Sequence, residues 1–96
     1  MYQLDKLRKH RRKIYNIAQK HFASRIYIFG SCVRHEETKK SDVDFLVDFL
    51  PEASLLDLIR LQDDLQSYLK RPVDVISRDG IHPFLKDEIL KEAIEL

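Results

Sequence analysis

The chain of 96 residues is long enough for one domain with a modest hydrophobic core, which we expect to span residues 1–96. Its 44% apolar and 34% charged residues exclude a disordered chain, and its net charge of +1 excludes a bulk attraction to nucleic acid or to an anionic membrane. Cys32 is the one cysteine, which excludes an internal disulfide, and no apolar run reaches the ~20 residues of a membrane helix, so we expect a cytoplasmic protein.

The first predicted element is a basic helix. Apolar residues recur near helical spacing at Leu4, Leu7, Ile14, Ala18 and Phe22, and only Arg11 interrupts this stripe. The cations crowd its first half, at Lys6, Arg8, Lys9, Arg11, Arg12 and Lys13. Because their positions surround the helix, we expect them to be solvated or to face a partner protein, and we do not expect direct nucleic-acid binding.

Two strands follow the first helix. Residues 25–29 (RIYIF) are short, β-branched and aromatic, and end at Gly30, which indicates a buried strand. Residues 43–49 (VDFLVDF) form the second, with Val43, Phe45, Val47 and Phe49 on one face and Asp44, Leu46 and Asp48 on the other.

The second half of the chain predicts helix, strand and helix. Ser54 and Asp57 form a capping box for a helix that runs to about Lys70 and buries Leu55, Leu58, Ile59, Leu65 and Leu69. Residues 73–76 (VDVI) form a third strand, 78–80 a turn, and Pro83 opens a last helix that buries Leu85, Ile89, Ala93 and Ile94. The order α-β-β-α-β-α predicts an α/β (α+β) domain whose small mixed sheet of about three strands is backed by helices.

Candidate chemistry begins where the first strand ends, at Gly30-Ser31. A glycine allows backbone to approach a phosphate closely, and free N–H groups at the start of a helical turn attract anions. Ten residues later, Asp42-x-Asp44 places two carboxylates on one face of the second strand, about 6.5–7 Å apart. Each feature alone is common in turns and solvated strand ends, but a pair of Mg²⁺ ions would relieve the repulsion between such carboxylates and serve phosphoryl transfer.

A third acid strengthens this interpretation. Asp74 stands between apolar residues in the third strand, where a carboxylate needs a partner, a metal ion or a catalytic role, unless it faces water at the sheet edge. If the second and third strands pair, Asp74 completes a carboxylate triad as a metal ligand or as the base for an acceptor hydroxyl. Asp48 lies ~13 Å along the strand from Asp44, and we interpret it as a strand-end acid and not as a ligand.

The combined motif resembles the signature of the minimal nucleotidyltransferases, in the DNA polymerase beta superfamily. Gly30-Ser31, ten residues, Asp42-x-Asp44 and the later Asp74 all match it, and the closing HPFLKDEILKEAI resembles the end of these short proteins. The resemblance implies the nucleotidyltransferase fold, two Mg²⁺ ions held by Asp42, Asp44 and Asp74, which are the catalytic residues, and ATP as the substrate. It also implies that Gly30 and Ser31 bind the nucleotide phosphates.

Three residues between the Gly30-Ser31 and Asp42-x-Asp44 motifs also bear on the function. Arg34 matches a basic position of the family loop and either contacts phosphate or is a surface arginine. Related sequences usually carry glycine where His35 stands. This departure leaves open the path of the loop and its effect on the catalytic rate, and it leaves every proposed ligand in place. Cys32 follows the motif serine, but no residue is placed by sequence to activate it, and we interpret it as an ordinary thiol.

The chain length suggests the acceptor. Larger family members carry extra domains for tRNA, RNA or antibiotics, whereas stand-alone chains of this size are similar to antitoxins of two-gene toxin–antitoxin modules. The resemblance implies an antitoxin that transfers AMP from ATP to a tyrosine of a cognate HEPN-domain ribonuclease toxin. Two alternatives stay open: an antitoxin that neutralises its toxin by contact alone, and a nucleotidyltransferase that acts on a small molecule or on RNA.

Overall fold

The chain folds into helices and strands whose order follows the predicted one, with a fourth strand at the end. The structure, a computed structural model, describes residues 3–30, 42–80 and 83–96. The elements are α1 (Gln3–Lys9), α2 (Arg11–Gln19), β1 (Ala23–Phe29), β2 (Val43–Phe49), α3 (Leu55–Leu69), β3 (Val73–Ser77), a 3-10 helix (Arg78–Gly80), α4 (Pro83–Glu92) and β4 (Ile94–Glu95). Within the described ranges, no helix is both long enough and apolar enough to cross a membrane.

The four strands form one mixed sheet in the order β3-β2-β1-β4. β1 runs antiparallel to β2 and β4, whereas β2 and β3 are parallel because α3 carries the chain back between them. This confirms the predicted α/β class and mixed sheet, while the predicted count of three strands was one too low.

The core lies between one face of the sheet and the helices. Val43, Phe45 and Val47 are fully buried there, as predicted. They pack in one cluster with side chains of β1, β3, α2 and α3, including Ile26, Ile28, Val73, Val75, Ile14, Ala18, Leu61 and Leu65. The opposite face of β2 carries Asp44 and Asp48, also as predicted, although Leu46 between them is fully buried. The sheet therefore separates an apolar face from a face that bears the carboxylates.

The first predicted helix is broken at His10 into α1 and α2. A continuous helix would turn Arg11 towards the core, where an unpaired guanidinium is costly, whereas the break leaves Arg11 exposed. The imidazole Nδ1 of His10 lies 2.7 Å from the hydroxyl of Tyr68, so a hydrogen bond joins the residue at the break to α3. Phe22 also differs from the prediction, because it follows α2 with φ +62° and is exposed.

The fourth strand replaces the last turn of the predicted final helix. α4 ends at Glu92, and Ile94 pairs with Ile28 of β1. The backbone N–H of Leu96 donates to the carbonyl of Ile26 at 2.9 Å, and the Leu96 side chain is buried. Short apolar runs fit a helix or a strand equally well, and pairing with the free edge of β1 decides the outcome here.

The other edge of the sheet, β3, is bonded by side chains of α3. The backbone N–H of Val73 donates to Gln66 Oε1 at 3.1 Å, and that of Val75 donates to Gln62 Oε1 at 3.0 Å. These two N–H groups point away from β2 and would otherwise stay unpaired at the edge. α3 therefore holds β3 through hydrogen bonds as well as through apolar packing.

The start of α3 carries the predicted capping box. The backbone N–H of Ser54 donates to Asp57 Oδ2 at 2.8 Å, and the Ser54 hydroxyl lies 3.1 Å from the same oxygen. The apolar stripe is only partly as predicted: Leu65 is buried, but Leu55 is 73% exposed and Ile59 45% exposed, while the buried Leu61 was missed. The helix thus turns its first apolar residues to solvent.

We expect Asp57→Ala to lower the free energy of unfolding by about 1 kcal/mol, because it removes the acid that satisfies the Ser54 N–H. Urea unfolding followed by circular dichroism measures this change. Asp63→Ala, at an exposed position on the same helix, is the matched control and should change stability by less than about 0.5 kcal/mol. An equal loss in both variants would contradict a capping role for Asp57.

Candidate active site

The candidate site begins at Gly30, directly after β1. Gly30 has φ +78°, in the left-handed region that costs other residues about 1–2 kcal/mol. A Cβ atom at this position would overlap Asp44 Oδ2 and would lie 3.2 Å from Asp44 Cγ. The Asp44 carboxylate therefore lies directly over the Gly30 backbone, and only glycine leaves room for it.

The registers of the sheet place two of the three predicted acids side by side. Asp44 pairs with Phe29 at the end of β1 on one side and with Asp74 of β3 on the other. Neighbouring strands are ~4.8 Å apart, and side chains at paired positions of parallel strands point to the same face. Asp44 is half-buried and Asp74 is exposed, so the pair opens to solvent from the carboxylate face of the sheet.

Asp42 comes one residue before β2 and is exposed. The period of two along a strand sets its carboxylate on the same face as that of Asp44, about 6.5–7 Å away. Gly30, Asp42, Asp44 and Asp74 thus come to one end of the sheet, where β1 ends and where β2 and β3 begin. Ser31 and Arg34, together with Cys32 and His35, lie outside the described residues, and their roles stay predictions.

The donor set suits a magnesium ion that shares its ligands with a substrate. Among the described residues, no three His, Cys, Asp or Glu side chains lie close enough together to hold a metal ion by themselves. Mg²⁺ commonly takes one or two carboxylates and completes its coordination with water and substrate phosphate oxygens. Carboxylates at Asp42, Asp44 and Asp74, at one end of the sheet, are of the residue type that suits such shared coordination, and the metal-ligand role of all three stays a prediction.

Asp48 has a different environment from the acids at the end of the sheet. Its Oδ1 lies 2.9 Å from Nε of Arg78, whose guanidinium carbon is 4.9 Å from the centre of the Tyr27 ring. A carboxylate in an ion pair with its own arginine is a poor metal ligand, which agrees with the interpretation of Asp48 as a strand-end acid. The contact with Arg78 was not predicted, because it joins positions 30 residues apart and leaves no local pattern.

Known proteins resemble this chain along nearly its whole length. Residues 4–96 match the family model described as Nucleotidyltransferase domain. The chain belongs to the nucleotidyltransferase family. This nucleotidyltransferase is also 48% identical over 86 residues to a protein of Methanocaldococcus jannaschii that is provisionally named a protein adenylyltransferase, with 90% of this chain and 92% of that protein covered.

Solved structures agree with the family and confirm the predicted fold. The nucleotidyltransferase superimposes with a TM-score of 0.85 on a structure provisionally described as a minimal nucleotidyltransferase, at 39% identity, covering 97% of this chain and 95% of the other. It also shares its fold with a chain from the complex of a tri-AMPylated Shewanella oneidensis HEPN toxin and its MNT antitoxin. The TM-score is 0.69 at 21% identity, and 99% of this chain and 71% of that one are covered. The chain is thus a minimal nucleotidyltransferase, a member of a family of enzymes.

Proposed function

We propose that this nucleotidyltransferase is an antitoxin that transfers AMP from ATP to a tyrosine of a cognate HEPN-domain ribonuclease toxin. The observation that carries the proposal is the Asp44 carboxylate, which lies over Gly30 and level with Asp74. This arrangement combines a backbone that phosphates can approach closely with acids on two strands. Two similarities support the proposal: one relative is provisionally named a protein adenylyltransferase, and this chain shares its fold with a chain from the complex of an AMPylated HEPN toxin and its MNT antitoxin.

Different residues bind the phosphates, hold the metal ion and accept the proton. Gly30 and Ser31 bind the terminal phosphates through backbone N–H groups and the serine hydroxyl, and Arg34 adds a positive charge. Asp42 and Asp44 hold Mg²⁺, together with Asp74, and the metal supplies charge neutralisation for the phosphates when it is bound. Asp74 is exposed at the start of β3, so it is also placed to accept the proton of an acceptor hydroxyl.

The reaction is a substitution at the α-phosphorus of ATP. The acceptor oxygen forms a bond to that phosphorus, the bond to the bridging oxygen of the β-phosphate breaks, and pyrophosphate leaves with the bonding electrons. The proton of the acceptor hydroxyl passes to the carboxylate base. Catalysis of this kind depends on alignment and on neutralisation of charge, so the enzyme needs few reactive side chains.

Transfer is tested with ATP labelled at the α-phosphate, Mg²⁺ and the purified cognate HEPN-domain protein. We expect label on that protein, on a tyrosine located by mass spectrometry, and loss of at least about 99% of it with Asp42→Asn. EDTA should abolish labelling, and excess Mg²⁺ should restore it.

The same experiment separates the alternatives. A stable complex without any label would indicate an antitoxin that acts by contact. Label on RNA or on an aminoglycoside, offered in parallel reactions, would indicate a different acceptor. Wild-type labelling by Asp42→Asn would contradict the role of this acid as a metal ligand.

A further inference from the structure

The junction of α1 and α2 carries the most concentrated charge of the chain. Six of the 17 Lys and Arg fall between residues 6 and 13, which contain no acid, and this leaves 11 Lys and Arg to balance all 16 Asp and Glu elsewhere. The net charge of +1 therefore conceals a strongly polarised molecule, with one basic region and an acidic remainder.

Five of these six cations surround a concave surface at the break. A cleft of about 430 Å³, which we call the basic cleft, is lined by Arg8, Lys9, His10, Arg11, Arg12 and Lys13. All six residues are exposed, and none of them contributes to the core.

The residues of the basic cleft destabilise the start of the helix that follows it. Arg11, Arg12 and Lys13 occupy the first turn of α2, where the helix dipole disfavours cations, and that turn contains no acid. His10 precedes α2 but makes no side-chain cap, because its ring is bonded to Tyr68 and packs edge-on against it, with ring centres 5.7 Å apart. Local choices that oppose helix stability are typical of residues kept for function.

The basic cleft lies at the same end of the molecule as the candidate active site. α2 leads through a short turn into β1 and packs antiparallel along it, since the Tyr15 hydroxyl lies within 3.4 Å of backbone atoms of Ile26. The start of α2 therefore lies towards the end of β1 that precedes Gly30, within the helical layer and on the other side of the sheet from the Asp44 side chain. Tyr68, which is bonded to His10, lies five residues before the first residue of β3, and Asp74 is the second residue of that strand.

We propose that the basic cleft binds an acidic segment of the protein that accepts the nucleotide and so holds that protein at the end of the sheet where the candidate active site lies. This proposal rests on the proposed function, because it gives the cleft a part in acceptor binding. A short acidic segment matches both the compact size and the sign of charge of the cleft, and charge complementarity of this kind speeds encounter and sets orientation.

A single-stranded RNA fits the basic cleft less well. Such RNAs are usually held by a charged groove together with aromatic side chains on which bases stack. Among the described residues that line the cleft, His10 is the one ring, and it is already in contact with Tyr68.

The test uses the double variant Arg12→Glu/Lys13→Glu. Acids are favoured in the first turn of a helix, so this variant should unfold at a temperature no lower than the wild type, and lost binding will not reflect lost structure. The matched control, Arg60→Glu/Lys86→Glu, makes the same change in net charge at exposed positions outside the cleft and away from helix C-termini.

Binding is measured by fluorescence anisotropy with a labelled ten-residue glutamate-rich peptide and with a labelled ten-nucleotide oligouridine. We expect the wild type to bind the peptide more tightly than the RNA, the cleft variant to bind the peptide about tenfold more weakly, and the control to differ from the wild type by less than about twofold. Tighter binding of the RNA, no binding of the peptide, or equal losses in the cleft and control variants would overturn the proposal.

Kinetics of transfer to the HEPN-domain protein provide the second readout. The cleft variant should raise the KM for that protein about tenfold and leave the KM for ATP unchanged, because the cleft contacts only the acceptor. An unchanged KM for the protein would also overturn the proposal. If the wild type transferred no label at all, the proposed function would fail, while the peptide measurement would still decide what the basic cleft binds.

Discussion

Replacing Asp44 with asparagine is expected to lower the rate of nucleotidyl transfer by about 10³-fold. A bound metal ion stabilises the charge of the transition state by several kcal/mol, and each ~1.4 kcal/mol corresponds to a factor of ten in rate. Asparagine has the same shape as aspartate, so the packing over Gly30 is kept while the negative charge is lost. The measurement is the initial rate of labelling from ATP labelled at the α-phosphate, with saturating Mg²⁺.

Asp48→Asn is the matched control for Asp44→Asn. Both residues lie on the carboxylate face of β2, but Asp48 pairs with Arg78 and is not at the end of the sheet where the other acids gather. We expect the control to keep transfer within about threefold of the wild type and to lose at most about 1 kcal/mol of stability, the usual contribution of a partly exposed ion pair. Equal loss of activity in the two variants would mean that the charge of the whole face matters and that Asp44 has no special role.

Replacing Gly30 with alanine is expected to reduce transfer by about 10²-fold and the free energy of unfolding by about 1–2 kcal/mol. The stability loss follows from the positive φ, which alanine adopts at a cost. The activity loss follows from the new methyl group, which would push the Asp44 carboxylate out of place, and misplacement of a reacting group by ~1 Å costs about this much. Labelling rates and urea unfolding measure the two effects separately.

Gly80→Ala is the control, because a Cβ there would meet only Ser77 Cβ at an ordinary 3.9 Å, and Gly80 has no positive φ. We expect this variant to keep full activity and to be as stable as the wild type or slightly more stable. If Gly30→Ala lost stability but kept the wild-type transfer rate, the close contact between Gly30 and Asp44 would have no bearing on catalysis.

The sequence predicted those parts of the site that depend on local patterns. The alternation in 43–49 gave the bounds of β2 and the face of Asp44, and the spacing of Ser54 and Asp57 gave the start of α3. Because both patterns reflect interactions between near neighbours, they can be read without knowledge of the fold. The expectation that Asp74 joins Asp44 depended on pairing of the second and third strands, and the family's third acid matched it; the parallel register places the two residues at paired positions.

The parts that were missed depend on contacts between distant segments. The helix break at His10 is held by a hydrogen bond to Tyr68, 58 residues away, and the one local sign of it is the interruption of the apolar stripe at Arg11. The fourth strand consists of two residues whose pairing partner is the edge of β1, and Asp48 acquires Arg78 only when the chain returns along β3. In each case, the preference of the local sequence was weak and tertiary contacts decided the outcome.

The glutamines that bond β3 also bear on how activity can vary among similar enzymes. A slip of β3 by one residue against β2 would carry Asp74 to the opposite face of the sheet, because side chains alternate along a strand. Gln62 and Gln66 bind the strand from its outer edge and oppose such a slip, although neither belongs to the carboxylate group. Substitutions of Gln62 or Gln66 can therefore alter the activity of the enzyme without any change to the carboxylates themselves.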